Sequence, residues 1–132
     1  AKAMGDEMTA AATVVKTEAR MTEALDAIRN LQDRAKNIGL SDTGLWTNQN
    51  LSFARAVPDM LALAEVMLMG GIERKESRGS HYRTDYPDRV DDPFLASTVA
   101  KWNGGSPSIE FEAVQLGIVE PRARTYGKKQ TA

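Results

Sequence analysis

Leu51-Ser52-Phe53-Ala54-Arg55-Ala56-Val57-Pro58-Asp59-Met60-Leu61-Ala62-Leu63-Ala64-Glu65-Val66-Met67-Leu68-Met69-Gly70-Gly71-Ile72 is the stretch on which the architecture turns. Leu51, Ala54, Val57, Leu61, Ala64, Leu68 and Ile72 recur at three- and four-residue steps, the period of one helical face. That spacing predicts a long helix with a wide core face, starting near Trp46 or Asn48 and running to about Arg74. Pro58 lies inside it, where a proline removes one backbone bond and crowds the preceding turn. Either the helix kinks there or a new one starts; the apolar phase runs through unchanged, which favours the kink. Gly70-Gly71 should weaken the last turns by about 1 kcal/mol per glycine relative to alanine, so the pair predicts a close approach of another backbone. Met60, Met67 and Met69 are expected to fill gaps in the core. The apolar run from Val57 to Ile72 includes Asp59 and Glu65 and falls short of the roughly 20 residues of a membrane span.

Upstream, Met21, Leu25, Ile28, Leu31, Ala35 and Ile38 mark a second amphipathic helix at about 17 to 38. Thr17 is its expected N-cap, Glu18 suits the positive helix end, and Gly39 supplies a stop. Glu18, Glu23, Asp26, Arg29, Asp33 and Arg34 form its solvated face. Asp6 could cap a shorter helix through Ala12, followed by an extended Thr13-Val14-Val15 link. Downstream, Pro93 predicts a short helical turn through Ala100, and Trp102-Asn103-Gly104-Gly105 carries turn chemistry. Ser108 to Leu116 alternates apolar and polar residues, which argues a half-buried strand paired with residues near Val99 to Trp102. Glu120 to Tyr126 and Lys128-Lys129 read as a surface crossing and a disordered tail. The expected organisation is one domain over 1–132: a helical bundle at about 1–75, a charged loop at 76–92, and a short helix, hairpin and tail at 93–132. Its class is mainly α.

At 132 residues one core suffices, burying roughly two thirds of the unfolded surface. The 17 basic and 18 acidic side chains leave a formal charge of −1, so no global field holds nucleic acid or an anionic membrane. The absence of cysteine removes disulfides, thiolate metal sites and redox thiols together.

Chemistry concentrates in Arg74-Lys75-Glu76-Ser77-Arg78-Gly79-Ser80-His81-Tyr82-Arg83-Thr84-Asp85-Tyr86-Pro87-Asp88-Arg89. Arg78, Arg83 and Arg89 alternate with Asp85, Asp88, Asp91 and Asp92. Such a mixture either neutralises itself in a pinned ion-pair network, the favoured reading, or presents arginine forks to a carboxylate or phosphate. His81 is the one histidine. It is read as shaping the loop by hydrogen bonds to neighbouring acids, with a general acid or base role as the alternative. Gly79 is expected to permit a backbone bend. The acidic spacing does not match a calcium loop, no phosphate-cradling glycine motif occurs, and Ser41, Thr43 and Ser52 lack a histidine base at motif spacing. Catalytic, cofactor and metal residues are therefore expected to be none within this chain.

The same loop, Glu-Ser-Arg-Gly-Ser-His-Tyr-Arg-x-Asp-Tyr-Pro-x-Arg, resembles the C-terminal helical domain of the flavoprotein subunit of succinate dehydrogenase and fumarate reductase, nearest the bacterial succinate:menaquinone type. Asp6-Glu7-Met8, Thr13-Val14-Val15, Lys36-Asn37-Ile38, Trp46-x-Asn48-Gln49 and Glu120-Pro121-Arg122-x-Arg124-x-Tyr126 follow the family order. The resemblance implies a three-helix up-and-down bundle, spectrin-repeat-like, with a small strand-bearing tail. It also implies a longer flavoprotein chain, consistent with a start at Ala1 although Met4 could be a true start, in which FAD bound upstream oxidises succinate or reduces fumarate. Electrons would pass to an iron–sulfur subunit and then to quinone, peripherally on the cytoplasmic side of the membrane. In that family this piece buttresses the flavin domain, with Arg78, Gly79, His81, Arg83, Asp85 and Arg89 as signature positions of an interface loop. Val90 and Phe94 depart from the family's usual residues. L-Aspartate oxidase carries a similar terminal bundle, and a stand-alone helical interaction module is the competing class.

Overall fold

The computed structural model describes residues 1–122. Helix α1 spans Lys2–Ala12, strand β1 Val15–Lys16, helix α2 Glu18–Ala35 and helix α3 Gln49–Glu73. Strand β2 (Tyr82–Arg83), the single turn α4 (Asp91–Phe94) and strands β3 (Ala96–Trp102) and β4 (Pro107–Ala113) follow. The helices α1, α2 and α3 pack on one another as the expected three-helix bundle, and the β3–β4 hairpin lies against α3.

The bundle forms because its apolar stripes meet. Met21, Ala24, Leu25 and Ile28 from α2 close on Leu61, Ala64 and Leu68 from α3, with Ala11 of α1 completing the buried cluster. Burying each large side chain contributes about 1.5–3 kcal/mol. The Thr17 hydroxyl accepts the Arg20 amide and Asn48 accepts the Leu51 amide, so both long helices begin at polar N-caps. Helix α3 is continuous across Pro58. The first helix starts at Lys2 rather than at an Asp6 cap, and Asp6 pairs with Lys2 across one turn. Helix α2 stops at Ala35, before Gly39, and Ile38 is left 43% exposed. Arg29 belongs only partly to the solvated face, because its Nε donates to the buried Glu65 of α3 at 2.9 Å and Gln32 adds a 2.7 Å bond.

Both glycines of α3 are closely packed as expected, but the atoms that approach are side chains and not another backbone. A Cβ on Gly70 would sit 3.1 Å from Thr98 Cγ2 of the hairpin, and one on Gly71 would sit 2.9 Å from Met21 Sδ of α2. The hairpin and α2 therefore settle onto α3 where it has no side chains. The methionine expectation is corrected in part: Met69 packs on the core, whereas Met60 and Met67 are exposed. The expected helical turn from Pro93 through Ala100 is also corrected. It ends at Phe94, and Ala96 to Trp102 is a strand whose full length pairs antiparallel with Pro107 to Ala113. The β-branched Thr98 and Val99 and the Phe94–Phe111 edge contact, with centroids 5.3 Å apart, favour the extended form. Gly104 takes φ +70° in the hairpin turn, where the sequence placed it. Residues 118 to 122 lie on the surface; Arg124, Tyr126, Lys128 and Lys129 fall outside the described residues.

Candidate functional site: the arginine–carboxylate lock

Three short backbone pairings position the charged loop. Ser77 donates its amide to Asp88 at 2.9 Å, Arg78 and His81 exchange amide–carbonyl bonds, and Tyr82 and Thr84 donate to Val14 and Lys16. The last pair makes β2 a parallel partner of β1 in the link between α1 and α2. Gly79, first in the two-residue turn between Arg78 and His81, adopts φ +60°, which explains glycine there. The turn and the β1 pairing together drive Arg83 under the bundle, where it is fully buried.

Arg83 joins three parts of the chain. Its Nε and Nη2 donate to the two oxygens of Asp85 at 2.8 and 2.7 Å, the parallel fork geometry for which guanidinium is suited. Its Nη1 donates to the Gly71 and Ile72 carbonyls at 2.8 and 3.1 Å, satisfying backbone acceptors that the end of α3 leaves open. Asp85 in turn accepts the Glu18 amide at 2.8 Å, so the same ion pair covers the positive start of α2. The Tyr86 ring stacks beside the guanidinium at 4.8 Å.

A second centre forms on Glu76, which is fully buried. It accepts from Arg74 at 2.6 Å, from Arg78 at 2.7 and 2.9 Å, and from the Val90 amide at 2.8 Å. Arg74 also donates to the Phe94 carbonyl at 3.0 Å and Thr98 Oγ1 at 3.1 Å, and to the Ala96 carbonyl. Its guanidinium lies over both the Phe94 and Phe111 rings, which touch edge to face, 5.7 and 5.4 Å from their centroids. Glu76 and Arg74 thus fasten the hairpin to the end of α3. At the rim, Arg78 and Arg89 both hold Asp91, and Arg89 Nη1 reaches the Arg122 carbonyl at 3.0 Å.

Arg74, Arg78, Arg83 and Arg89 therefore stand against Glu18, Glu76, Asp85 and Asp91, and the cluster is internally neutral. No buried side-chain nitrogen or oxygen among the described residues lacks a partner. Such an arrangement clamps segments together and leaves no free fork for an anion. The self-neutralising reading of Arg78, Arg83 and Arg89 thus holds, with corrections. Asp88 contributes only a backbone carbonyl, and Asp92 makes no ion pair among the described residues. His81 bonds through Nε2 to the Arg74 carbonyl at 3.1 Å, not to an acid. Sequence reasoning missed Arg74, Glu76 and Glu18 as members. The signal was present: Arg74, Glu76 and Arg78 alternate with period two, which puts their side chains on one side of an extended segment.

The fields follow the contacts. The Arg83 fork holds the Asp85 carboxyl well below the usual carboxylate range, and Arg89, then Arg78, lower Asp91 to about 2. Burial alone would raise Glu76, but the bonds from Arg78, Val90 and Arg74 outweigh it and the net direction is down. Burial lowers His81, more than its carbonyl bond raises it. All four shifts act in the same sense. A group whose pKa is depressed on folding contributes stability that is present above its unfolded pKa and is lost as the pH falls through the folded one. Stability should therefore begin to fall below about pH 6.5 as the unfolded chain protonates His81, and fall more steeply below about pH 4 as the carboxylates follow. Urea midpoints measured at successive pH values check this; a midpoint that is flat or rises on acidification would contradict it.

Known proteins share the sequence pattern and the fold of this chain. The family described as fumarate reductase flavoprotein C-term matches residues 1–126. The chain is 41% identical over 133 residues to the succinate dehydrogenase flavoprotein subunit of Bacillus subtilis, covering 99% of this chain and 23% of that one. It is 35% identical to the fumarate reductase flavoprotein subunit of Haemophilus influenzae, covering 98% of this chain and 22% of the relative. A mutant FrdA chain of E. coli quinol fumarate reductase superposes with a TM-score of 0.88 at 30% identity, over 96% of this chain and 22% of that chain. The chain thus spans less than a quarter of the length of these relatives. With the family match running from the first helix past the lock and the hairpin, the chain belongs to the fumarate reductase flavoprotein C-terminal family.

Proposed function

We propose that this chain is the C-terminal domain of a succinate dehydrogenase or fumarate reductase flavoprotein subunit, and that it serves that enzyme as a structural and interface domain. The family match over residues 1–126 carries the reading. In this reading the whole subunit interconverts succinate and fumarate by hydride transfer with FAD and passes electrons to an iron–sulfur subunit and quinone. The chemistry is assigned to the portion upstream. Supporting that division, the charged side chains that could have held a dicarboxylate or a flavin phosphate are spent on one another, and no orphaned buried polar atom among the described residues awaits a ligand.

The loop of Arg78, Gly79, His81, Arg83, Asp85 and Arg89 has two parts here. Arg83 and Asp85 fasten the bundle around the buried Arg83, while Arg89 and the exposed Asp91 form the rim that would meet the iron–sulfur subunit. The complex would be held at the cytoplasmic face of the membrane by other subunits; no helix among the described residues is long and apolar enough to cross a bilayer. The test is an immunoblot of native extract with antibody to this domain, joined to flavin analysis and succinate-dependent dye reduction of the captured protein. A flavin-bearing subunit several times larger than 14.4 kDa that oxidises succinate is the expected result. A flavin-free band near 14.4 kDa would overturn the reading in favour of an independent binding module.

A further inference from the structure

The tip of the β3–β4 hairpin holds the one asparagine of the chain that is followed by glycine. Strand pairing ends at Trp102 and Pro107, and Asn103, Gly104, Gly105 and Ser106 close the loop between them, all exposed. The Asn103 amide donates to the Ser106 carbonyl at 3.1 Å, which ties the ends of the loop together. Its middle is open. No atom lies within 4 Å of where a Cβ on Gly104 or Gly105 would stand, and the Gly104 amide donates no hydrogen bond among the described residues.

That combination matters because a backbone amide is a latent nucleophile toward the side chain of the asparagine before it. Glycine offers its nitrogen without a Cβ to shield it and turns freely enough to bring it to the side-chain carbonyl. The other four asparagines lack these conditions. Asn30 lies within α2, where the following amide is a helix donor. Asn50 precedes Leu51, whose amide is taken by Asn48. Asn48 has its own side chain fixed by that bond and by two more to the Asp42 and Gly44 carbonyls. Asn37 is exposed but precedes the β-branched Ile38, whose amide donates to the Ala35 carbonyl at 3.3 Å.

We propose that Asn103 is a site of self-deamidation, restrained by Ser108. The Gly104 amide loses its proton to base and its nitrogen bonds to the Asn103 Cγ. The Cγ–Nδ2 bond then breaks, and Nδ2 leaves as ammonia after taking protons from water. The cyclic imide that remains takes up one water. Opening at the side-chain carbonyl gives aspartate; opening at the backbone carbonyl gives isoaspartate, in which the main chain runs through Cβ and Cγ. Water is the only co-reactant. The restraint is the bond from Asn103 Nδ2 to Ser108 Oγ at 2.8 Å, which ties the side-chain amide to β4 and must open before Cγ swings onto the Gly104 nitrogen. Either product places a carboxylate where the tip had none, and isoaspartate also lengthens the backbone beside the Trp102–Pro107 pair. Thr98 and Ile109, which meet α3 at Gly70, lie farther down the hairpin, so the bundle keeps its packing.

This inference does not depend on the functional reading above. To test it, the full-length protein is incubated at mildly alkaline pH and digested, and each asparagine peptide is followed by mass spectrometry. An isoaspartate-specific methyltransferase with labelled S-adenosylmethionine serves as the probe for the isomerised product. Asn103 should deamidate at least about tenfold faster than Asn37, faster still at higher pH, and with isoaspartate among its products. Ser108→Ala should speed the reaction by about two- to tenfold, the ratio that corresponds to losing one hydrogen bond. A rate at Asn103 no greater than that at Asn37, measured in the unaltered protein, would overturn the site. Deamidation that is unchanged or slowed in Ser108→Ala would overturn the restraint. Neither result touches the assignment to the flavoprotein family.

Discussion

Arg83→Ala should lower stability by about 3 kcal/mol, because removing one partner of a buried pair strands what it served. Arg83 is fully buried and donates to Asp85, to two carbonyls at the end of α3, and at 3.4 Å to Glu18. Its loss leaves those carbonyls without donors and returns the Asp85 charge to the N-terminus of α2 alone. Asp85 keeps some solvent contact, its side chain being 30% exposed, which places the expected cost at the lower end of the range for buried pairs. With a urea slope of about 1–3 kcal/mol per molar, the unfolding midpoint should drop by roughly 1–3 M. Arg83→Lys should recover less than half of the loss, since a point charge cannot reproduce the two parallel bonds to Asp85. A loss below about 0.5 kcal/mol for the alanine variant, the level of ordinary surface substitutions, would show that Arg83 fastens nothing.

Glu76→Ala should cost still more, about 3–5 kcal/mol. This carboxylate is fully buried and is the shared acceptor of Arg74, Arg78 and the Val90 amide. Without it two guanidiniums face each other with no charge between them, and the hairpin loses its attachment through Arg74. Glu76→Gln should lose most of the same stability, because its amide NH2 presents a donor to donors. Arg78→Ala is the informative contrast at about 1–2 kcal/mol. Arg78 is 27% exposed and Glu76 would keep Arg74 and Val90. Denaturation of the three variants in parallel checks the order; an equal or larger loss for Arg78→Ala would contradict the placement of Glu76 at the centre.

The bundle was legible because periodicity is written into single helices. The stripes at Met21 to Ile28 and Leu61 to Leu68, the Thr17 and Asn48 starts, and the close approach at Gly70-Gly71 all follow from local spacing. The sequence also marked the charged loop as self-neutralising, and its likeness to the succinate dehydrogenase and fumarate reductase flavoproteins pointed to the family that the comparisons bear out. Less legible was what depends on partners distant in sequence. Nothing near Glu18 announces that its amide meets Asp85, 67 positions on, and nothing near Val15 announces a parallel strand at Tyr82. The strand at Ala96 was hidden by Pro93, whose helix-opening signal is local, while the pairing that overrides it comes from Pro107 to Ala113. His81 was misread for the same reason. Neighbouring acids are visible in the sequence, but the Arg74 carbonyl that it finds is exposed only because α3 ends there.

The charged loop is an internal fastening between α2, α3 and the segment that follows them. A double-mutant cycle on Arg83→Ala and Asp85→Ala, read by chemical denaturation, tests it most directly. Two residues joined by a fork at 2.7 and 2.8 Å should show a coupling energy of about 1–3 kcal/mol, so that the double variant is far more stable than the two losses summed would allow. Losses that add to within about 0.5 kcal/mol would mean that the pair does not act as a unit, and the lock as described would fail.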